Sequence, residues 1–395
     1  MRKILLIAAV LFSLGSMAQK PFGFIKNVKT LDKNLKVNNL MKMPSASINN
    51  MAKAPAKAPE GESHTYYLDC YNTVYGFGAV PEFHKAINII YGTDNKVYIE
   101  NMIYPSMFNT YIEGELNGNT ITLKNGQSIG TYYSYNIILC SVSVTTNTDG
   151  TLKVTPEPST DFTLTVDNEY GTIQSGNNSF IGLVTDDYAA TLAFAGVMQF
   201  VPENLFPAAD EHEYTYDHQG YSTPLETKNG TVQIINLGDA CYIKGLLPEV
   251  DPDSWTMASY ENGTLSMSLP QIVTEDVASA FVDFNNGGEI IYDPVSFTYN
   301  AASDSYTMSK YTLTNLFVSE DGSGNLGLAY SDSYDNLKIK KTTTGINKVE
   351  GNDADVVSTE YFDLSGRRIS NAQKGINVKV MKFSDGTTKT VKVIK

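Results

Sequence analysis

Glu113-Gly114-Glu115-Leu116-Asn117-Gly118-Asn119-Thr120-Ile121-Thr122-Leu123 reads as two short strands folded about a turn. The flanks alternate apolar with polar residues, and Asn-Gly between such flanks is the strongest short-range hairpin signal. The same code returns at Asn262-Gly263-Thr264-Leu265-Ser266-Met267. Upstream, Val97-Tyr98-Ile99 through Pro105 parallels Cys241-Tyr242-Ile243 through Pro248, and Ile87-Asn88-Ile89-Ile90 parallels Val232-Gln233-Ile234-Ile235. Downstream, Gln127-Ser128-Ile129 parallels Gln271-Ile272-Val273. The spacing is 144 residues from Tyr98 to Tyr242, 145 from Gly118 to Gly263 and 144 from Gln127 to Gln271. His64-Thr65-Tyr66 and His212-Glu213-Tyr214 mark the two beginnings, and Phe162-Thr163-Leu164 and Phe297-Thr298-Tyr299 occupy similar later places.

This is a tandem duplication, with copies at 61–207 and 208–340. Its period is far longer than a solenoid repeat. Turn signals at Thr93-Asp94-Asn95, Asp149-Gly150, Asn229-Gly230 and Asp321-Gly322 punctuate short aromatic and β-branched runs. The expected fold is all-β: two tandem sandwich- or barrel-like domains, followed by a small β-sandwich-like C-terminal domain at 341–395. Tyr188–Gln199 and Glu275–Val282 are open between a short helix and a buried strand.

Charge is segregated along the chain. Residues 61–340 hold 9 basic and 35 acidic residues, a net of −26, whereas 20–60 carry +6 and 341–395 carry +4. So acidic a body argues against nucleic acid or an anionic membrane as partner. Residues 19–60 read as a leader, and Ala52-Lys53-Ala54-Pro55-Ala56-Lys57-Ala58-Pro59 has no face to bury.

The two ends of the chain read as addresses. Arg2 and Lys3, an apolar run from Ile4 to Leu14, and Ser16-Met17-Ala18 form the three parts of a cleavable signal peptide over 1–18. The run is too short to span a membrane, which takes about twenty residues, and no transmembrane segment is expected elsewhere. At the other end, Asp363-Leu364-Ser365-Gly366-Arg367, Lys374-Gly375-Ile376 and the basic β pattern Thr388–Lys395 follow one another. This arrangement resembles the short form of the C-terminal sorting domain of type IX secretion substrates of Bacteroidota. Asn377 stands where that family usually has an aromatic residue, and the Pro-Asn-Pro-like opening of longer versions is missing. The resemblance covers about fifty residues. It implies delivery to the cell surface or medium, with the secretion machinery as partner. Residence in the periplasm is the alternative.

Marks of chemistry are sparse. The four histidines form no zinc-binding spacing, and no nucleophile elbow or phosphate loop is present. No catalytic residue, metal site or cofactor is therefore assigned. Asp321-Gly322-Ser323-Gly324-Asn325 alternates oxygen ligands as calcium loops do, but lacks the later Glu and reads more simply as a glycine-rich turn. Asp251-Pro252-Asp253-Ser254-Trp255 sets two carboxylates beside the sole Trp, and Phe108 is its apparent counterpart in the first copy. Acid beside aromatic can hold a sugar. Equally, the aromatic can plug a core. Cys70, Cys140 and Cys241 leave at least one thiol unpaired, with a Cys70–Cys140 bridge open to an exported protein. Three functions stay open: a module binding a glycan or a host or cell-surface protein, a structural or adhesin-like surface component, and a hydrolase with unmarked carboxylates.

Overall fold

The computed structural model describes residues 37–38, 57–74, 78–148, 152–221, 223–261, 264–286, 288–308, 310–320, 326–341, 356–362, 368–370, 376–384 and 388–394. The signal segment 1–18, almost all of the leader and the Asp321–Asn325 loop lie outside them. Residues 1–341 form one compact unit and 342–395 another. The first unit holds two thirteen-stranded sheets. The two readings left open as helix or strand resolve as the strands Thr191–Pro202 and Val277–Asp283.

In the first sheet, eight strands close into a barrel-like ring. They run Glu62–Val74, Gly78–Tyr91, Lys96–Glu100, Tyr111–Asn117, Thr120–Leu123, Phe162–Val166, Ile173–Ser175 and Thr191–Pro202, and the last pairs with the first. From Thr191–Pro202 a branch continues through Phe180–Thr185 to Tyr135–Thr146, which carries Ser128–Tyr132 and Leu152–Pro156. The second sheet repeats this connectivity. Its ring runs Asp210–Gly220, Glu226–Asn236, Ala240–Lys244, Trp255–Glu261, Thr264–Met267, Val295–Asn300, Ser305–Met308 and Asp332–Lys341, and closes back onto Asp210–Gly220. Its branch passes through Thr312–Glu320 to Val277–Asp283, which carries Gln271–Thr274 and Glu289–Ile291. Leu326–Ala329 is an addition on Thr312–Glu320.

Local chemistry explains these elements. Lys96–Glu100 and Thr120–Leu123 bury every second residue, as a strand with one covered face requires. The hairpin between Asn117 and Thr120 turns on Gly118-Asn119, with Gly118 at φ +63°. Glycine at the first central position is what a type II′ turn asks for. Asp94 and Asn95 both take positive φ, the demand of a type I′ turn.

The registers refine the sequence comparison. Glu100 faces Tyr111 and Lys244 faces Trp255, both displaced by 144 residues. Ile89 faces Ile99 as Ile234 faces Ile243, as the sequence match implies. Two matches shift by two residues. Phe162 faces Leu123 as Val295 faces Met267, so Val295 and not Phe297 is its counterpart. Tyr66 faces Ile87 as His212 faces Val232, so His64 and His212 are not equivalent. In both cases the displaced residue lies on the same strand face, which period-2 matching alone cannot separate.

Eight strands enclose an interior just wide enough for side chains to fill. Leu68, Ile89, Ile99, Ile112, Ile121, Leu164 and Phe200 fill the first, and Tyr214, Ile243, Leu265, Phe297 and Ile339 belong to the second core. The C-terminal unit, in its described residues, is one four-stranded antiparallel sheet of Val356–Phe362, Arg368–Ile369, Ile376–Phe383 and Thr388–Ile394. These strands are the described part of the small C-terminal β domain expected at 341–395.

Candidate functional site

The chemistry that departs most from simple strand packing lies where the two large sheets meet. Between Glu62–Val74 and Gly78–Tyr91 the register skips: Leu68 faces Lys85 and Cys70 faces Glu82. One residue, Asp69, thus opposes two, Phe83 and His84, which is a β-bulge. Bulges re-aim side chains, and this one drives His84 into φ +52°. The Asp69 carboxylate accepts the His84 backbone N–H at 2.8 Å and the Tyr242 hydroxyl from the second sheet. The His84 ring stacks on Tyr67 with centroids 3.8 Å apart and on Tyr242 at 4.7 Å. Phe206 and Trp255 meet it edge-on at 4.5 and 4.6 Å. His84 is 1% exposed and its Nδ1 has no hydrogen-bond partner. Burial holds the imidazole neutral, lowering its pKa to about 3. Burial also raises Asp69 to about 6, against the opposing pull of its two hydrogen bonds.

Trp255 is therefore a junction residue. It is half-buried against His84, and the Lys244 ammonium lies 6.0 Å from its ring centroid. Lys244 in turn pairs with Asp253 at 2.7 Å, while Asp251 accepts the Asp253 backbone N–H in a local turn. Asp251, Asp253 and Trp255 do share one corner, but the indole is engaged by protein. Phe108 is elsewhere, buried in the first core against Gly130. The register makes Tyr111, not Phe108, the counterpart of Trp255. Phe108 instead matches Asp251, since their N–H groups bond to Tyr104 and Leu247 in the same way.

The remaining candidates resolve individually. Cys70, Cys140 and Cys241 are buried free thiols, so the Cys70–Cys140 bridge is not formed. Among the described residues, no group of three or more His, Cys, Asp or Glu side chains is placed to hold a metal ion, and no helix is long and apolar enough to cross a membrane. His218 contacts Asp332 at 2.8 Å, bridging the first and last strands of the second ring. Of the sorting motif, Asp363, Leu364, Ser365, Gly366, Arg367, Lys374 and Gly375 lie outside the described residues. Ile376 opens a strand and faces Ile394.

A second feature was not singled out by sequence reasoning. The hairpin joining Ser128–Tyr132 to Tyr135–Thr146 exposes Tyr133 by 58% and Tyr135 by 46%. The turn from Thr185 to Ala190 lies beside it and exposes Tyr188 by 36%. Asn136 ties the two, its amide donating to Asp186 at 2.9 Å and its carbonyl accepting the Asp186 N–H at 3.1 Å. Asp187 accepts from the Thr185 hydroxyl and the Ala189 N–H, bonds that hold its carboxyl below the usual range. The signal was present: Tyr132-Tyr133-Ser134-Tyr135 and Asp186-Asp187-Tyr188 are aromatic turns between apolar runs.

Fold and sites together define an all-β protein of two similar barrel-like sheets with filled cores and a tyrosine-lined edge. No family model, curated protein or solved structure matches the chain.

Proposed function

We propose that this is an exported β-protein that works at the cell surface or in the medium as a binding module. The observation that carries the binding half is the Tyr133, Tyr135 and Tyr188 edge, three large rings presented outward at two linked turns. Tyr170 is the other exposed ring among the described residues of that copy, and most of its apolar residues fill cores. A structural surface component would have no need to display them. Delivery is supported by the signal-peptide pattern of 1–18 and by the basic, sorting-like C-terminus. That C-terminus also folds as a compact unit of its own from Thr342 to Lys395, the arrangement a detachable address needs.

Delivery is tested by deleting 345–395 and fractionating cells. Retention of the truncated protein in the periplasm, with the full chain cleaved by protease added to intact cells, is the expected result. Equal surface exposure of both forms contradicts the sorting role.

A further inference from the structure

We infer that the Tyr133–Tyr135–Tyr188 edge is a binding site for a neutral sugar, with pyranose rings lying on the tyrosines. This rests on the binding-module reading and assigns it a place and a ligand class. Three observations carry it.

The first is conformational. Tyr133 sits at φ +52° and Tyr188 at φ +59°, a region that bulky L-residues rarely occupy. Asn or Gly would fit either turn without that cost. Tyr133 leans edge-on against Tyr132 at 4.6 Å, yet both turn rings keep a large share of their surface in solvent. A strained backbone that holds an exposed aromatic in place is the pattern expected where the ring meets a ligand.

The second is the local polar chemistry. Asn136, Asp186 and Asp187 adjoin Tyr135 and Tyr188 in the two turns and are fixed by the bonds described above. A pyranose offers an apolar C–H face to aromatic rings and a rim of hydroxyls that donate to carboxylates and exchange bonds with an amide. At the tyrosines themselves an extended peptide finds no free strand edge, the open edge nearby being the outer side of Ser128–Tyr132. Tyr132 is paired with Tyr135, and Thr185 with Ile137, so the neighbouring backbone groups are already in ladders. The body carries a net of −26 over 61–340 and its nine basic residues are all Lys, which disfavours acidic sugars and phosphates.

The third is the contrast between the copies. The equivalent hairpin of the second sheet, Thr274 to Val277, bears Glu275 and Asp276 instead of tyrosines. Glu275 accepts the Ser106 N–H of the first sheet at 2.9 Å, together with its hydroxyl. One copy uses this corner to build the molecule, and the other presents it to solvent. The stoichiometry is thus one site per chain.

The test is titration calorimetry of the full mature chain with neutral gluco-, manno-, galacto- and xylo-oligosaccharides, and in parallel with a Lys-rich peptide. One oligosaccharide class should bind at one site per chain. The Tyr133→Asn, Tyr188→Asn double variant should bind it at least tenfold more weakly, with an unfolding midpoint equal to or above that of the parent because Asn suits both turns. Trp255→Phe should bind as the parent does. Sugar binding untouched by the double variant would place the site elsewhere, overturning this inference while leaving the binding-module reading intact. Preference for the Lys-rich peptide would overturn the sugar assignment, and so would absence of binding across the panel. The cell-fractionation result bears on delivery alone and is independent of all these outcomes.

Discussion

The Tyr242 hydroxyl of the second sheet donates to the Asp69 carboxylate of the first, a bond between residues 173 apart in the chain and buried on both sides. Among the described residues no basic side chain hydrogen-bonds this carboxylate: Lys85, on the neighbouring strand, is bonded to Glu82 and to the Met102 carbonyl. A lone buried carboxylate costs free energy that hydrogen bonds only partly offset. It persists here because it fixes the bulge and receives a hydroxyl from the opposite sheet.

Asp69→Asn should therefore stabilise the protein near neutrality. The amide oxygen still accepts the His84 N–H, and the amide nitrogen can donate to Tyr242. Because the folded pKa is raised from 3.8 to about 6, the contribution of Asp69 to stability is complete below about pH 4 and is lost as pH rises through 6. A shift of that size corresponds to about 3 kcal/mol at most. The variant should gain roughly 1–3 kcal/mol over the parent at pH 7.5 and little at pH 4, measured by urea unfolding at both. A gain that does not change with pH contradicts this account of Asp69.

His84 works in the opposite sense. Its pKa is lowered, so its neutral ring supports the fold fully above pH 6.5 and that support fades as pH falls towards 3. His84→Phe should flatten the acid side of the stability profile relative to the parent. An unchanged acid limb would mean that the imidazole is not buried neutral.

Trp255→Ala should cost about 2–4 kcal/mol through lost packing, while oligosaccharide binding is retained. Calorimetry and thermal melts on the same sample separate the two readouts. Loss of sugar binding without loss of stability would return Trp255 to the role of a sugar platform.

Gln127 and Gln271 offer a paired test of the repeat. Each side chain makes three bonds, to the backbone N–H and C=O of Glu113 and the carbonyl of Lys124, or to those of Met257 and the carbonyl of Ser268. Every partner is displaced by 144 residues. Gln271 is buried and Gln127 only partly so. Gln271→Ala should cost about 2–3 kcal/mol and Gln127→Ala about 1. Equal costs would show that burial does not set the value of these bonds.

Burial raises all three thiols, Cys241 to about 12. Native protein should show three free thiols by mass and react slowly with a maleimide at pH 8, with rapid labelling only in denaturant. A mass two units lower on oxidation would reveal a disulfide that this fold does not contain.

Much of the fold was legible because each copy states it locally. Asn117-Gly118 announced a hairpin, and the spacing of 144–145 residues carried through Ile87–Ile90, Tyr98 and Gln127 into matching registers. What was illegible depended on tertiary context. Asp69 and His84 look unremarkable in sequence, since a bulge is a mismatch between two strands and neither strand alone encodes it. Trp255 beside Asp251 and Asp253 suggested a sugar platform, yet that ring is engaged by His84, 171 positions earlier in the chain. Phe108 aligned with it only because both are aromatics after a Pro turn, whereas its counterpart Asp251 lies four positions before Trp255.

The two sheets form one body through the Asp69–His84–Tyr242–Trp255 junction. The direct measurement is equilibrium unfolding of the protein followed by Trp255 fluorescence and by hydrogen exchange of Val97–Ile99, deep in the first sheet. Coincident midpoints, both shifted together by Tyr242→Phe, are the predicted result. Two separate transitions, with Tyr242→Phe moving only the fluorescence, would contradict it.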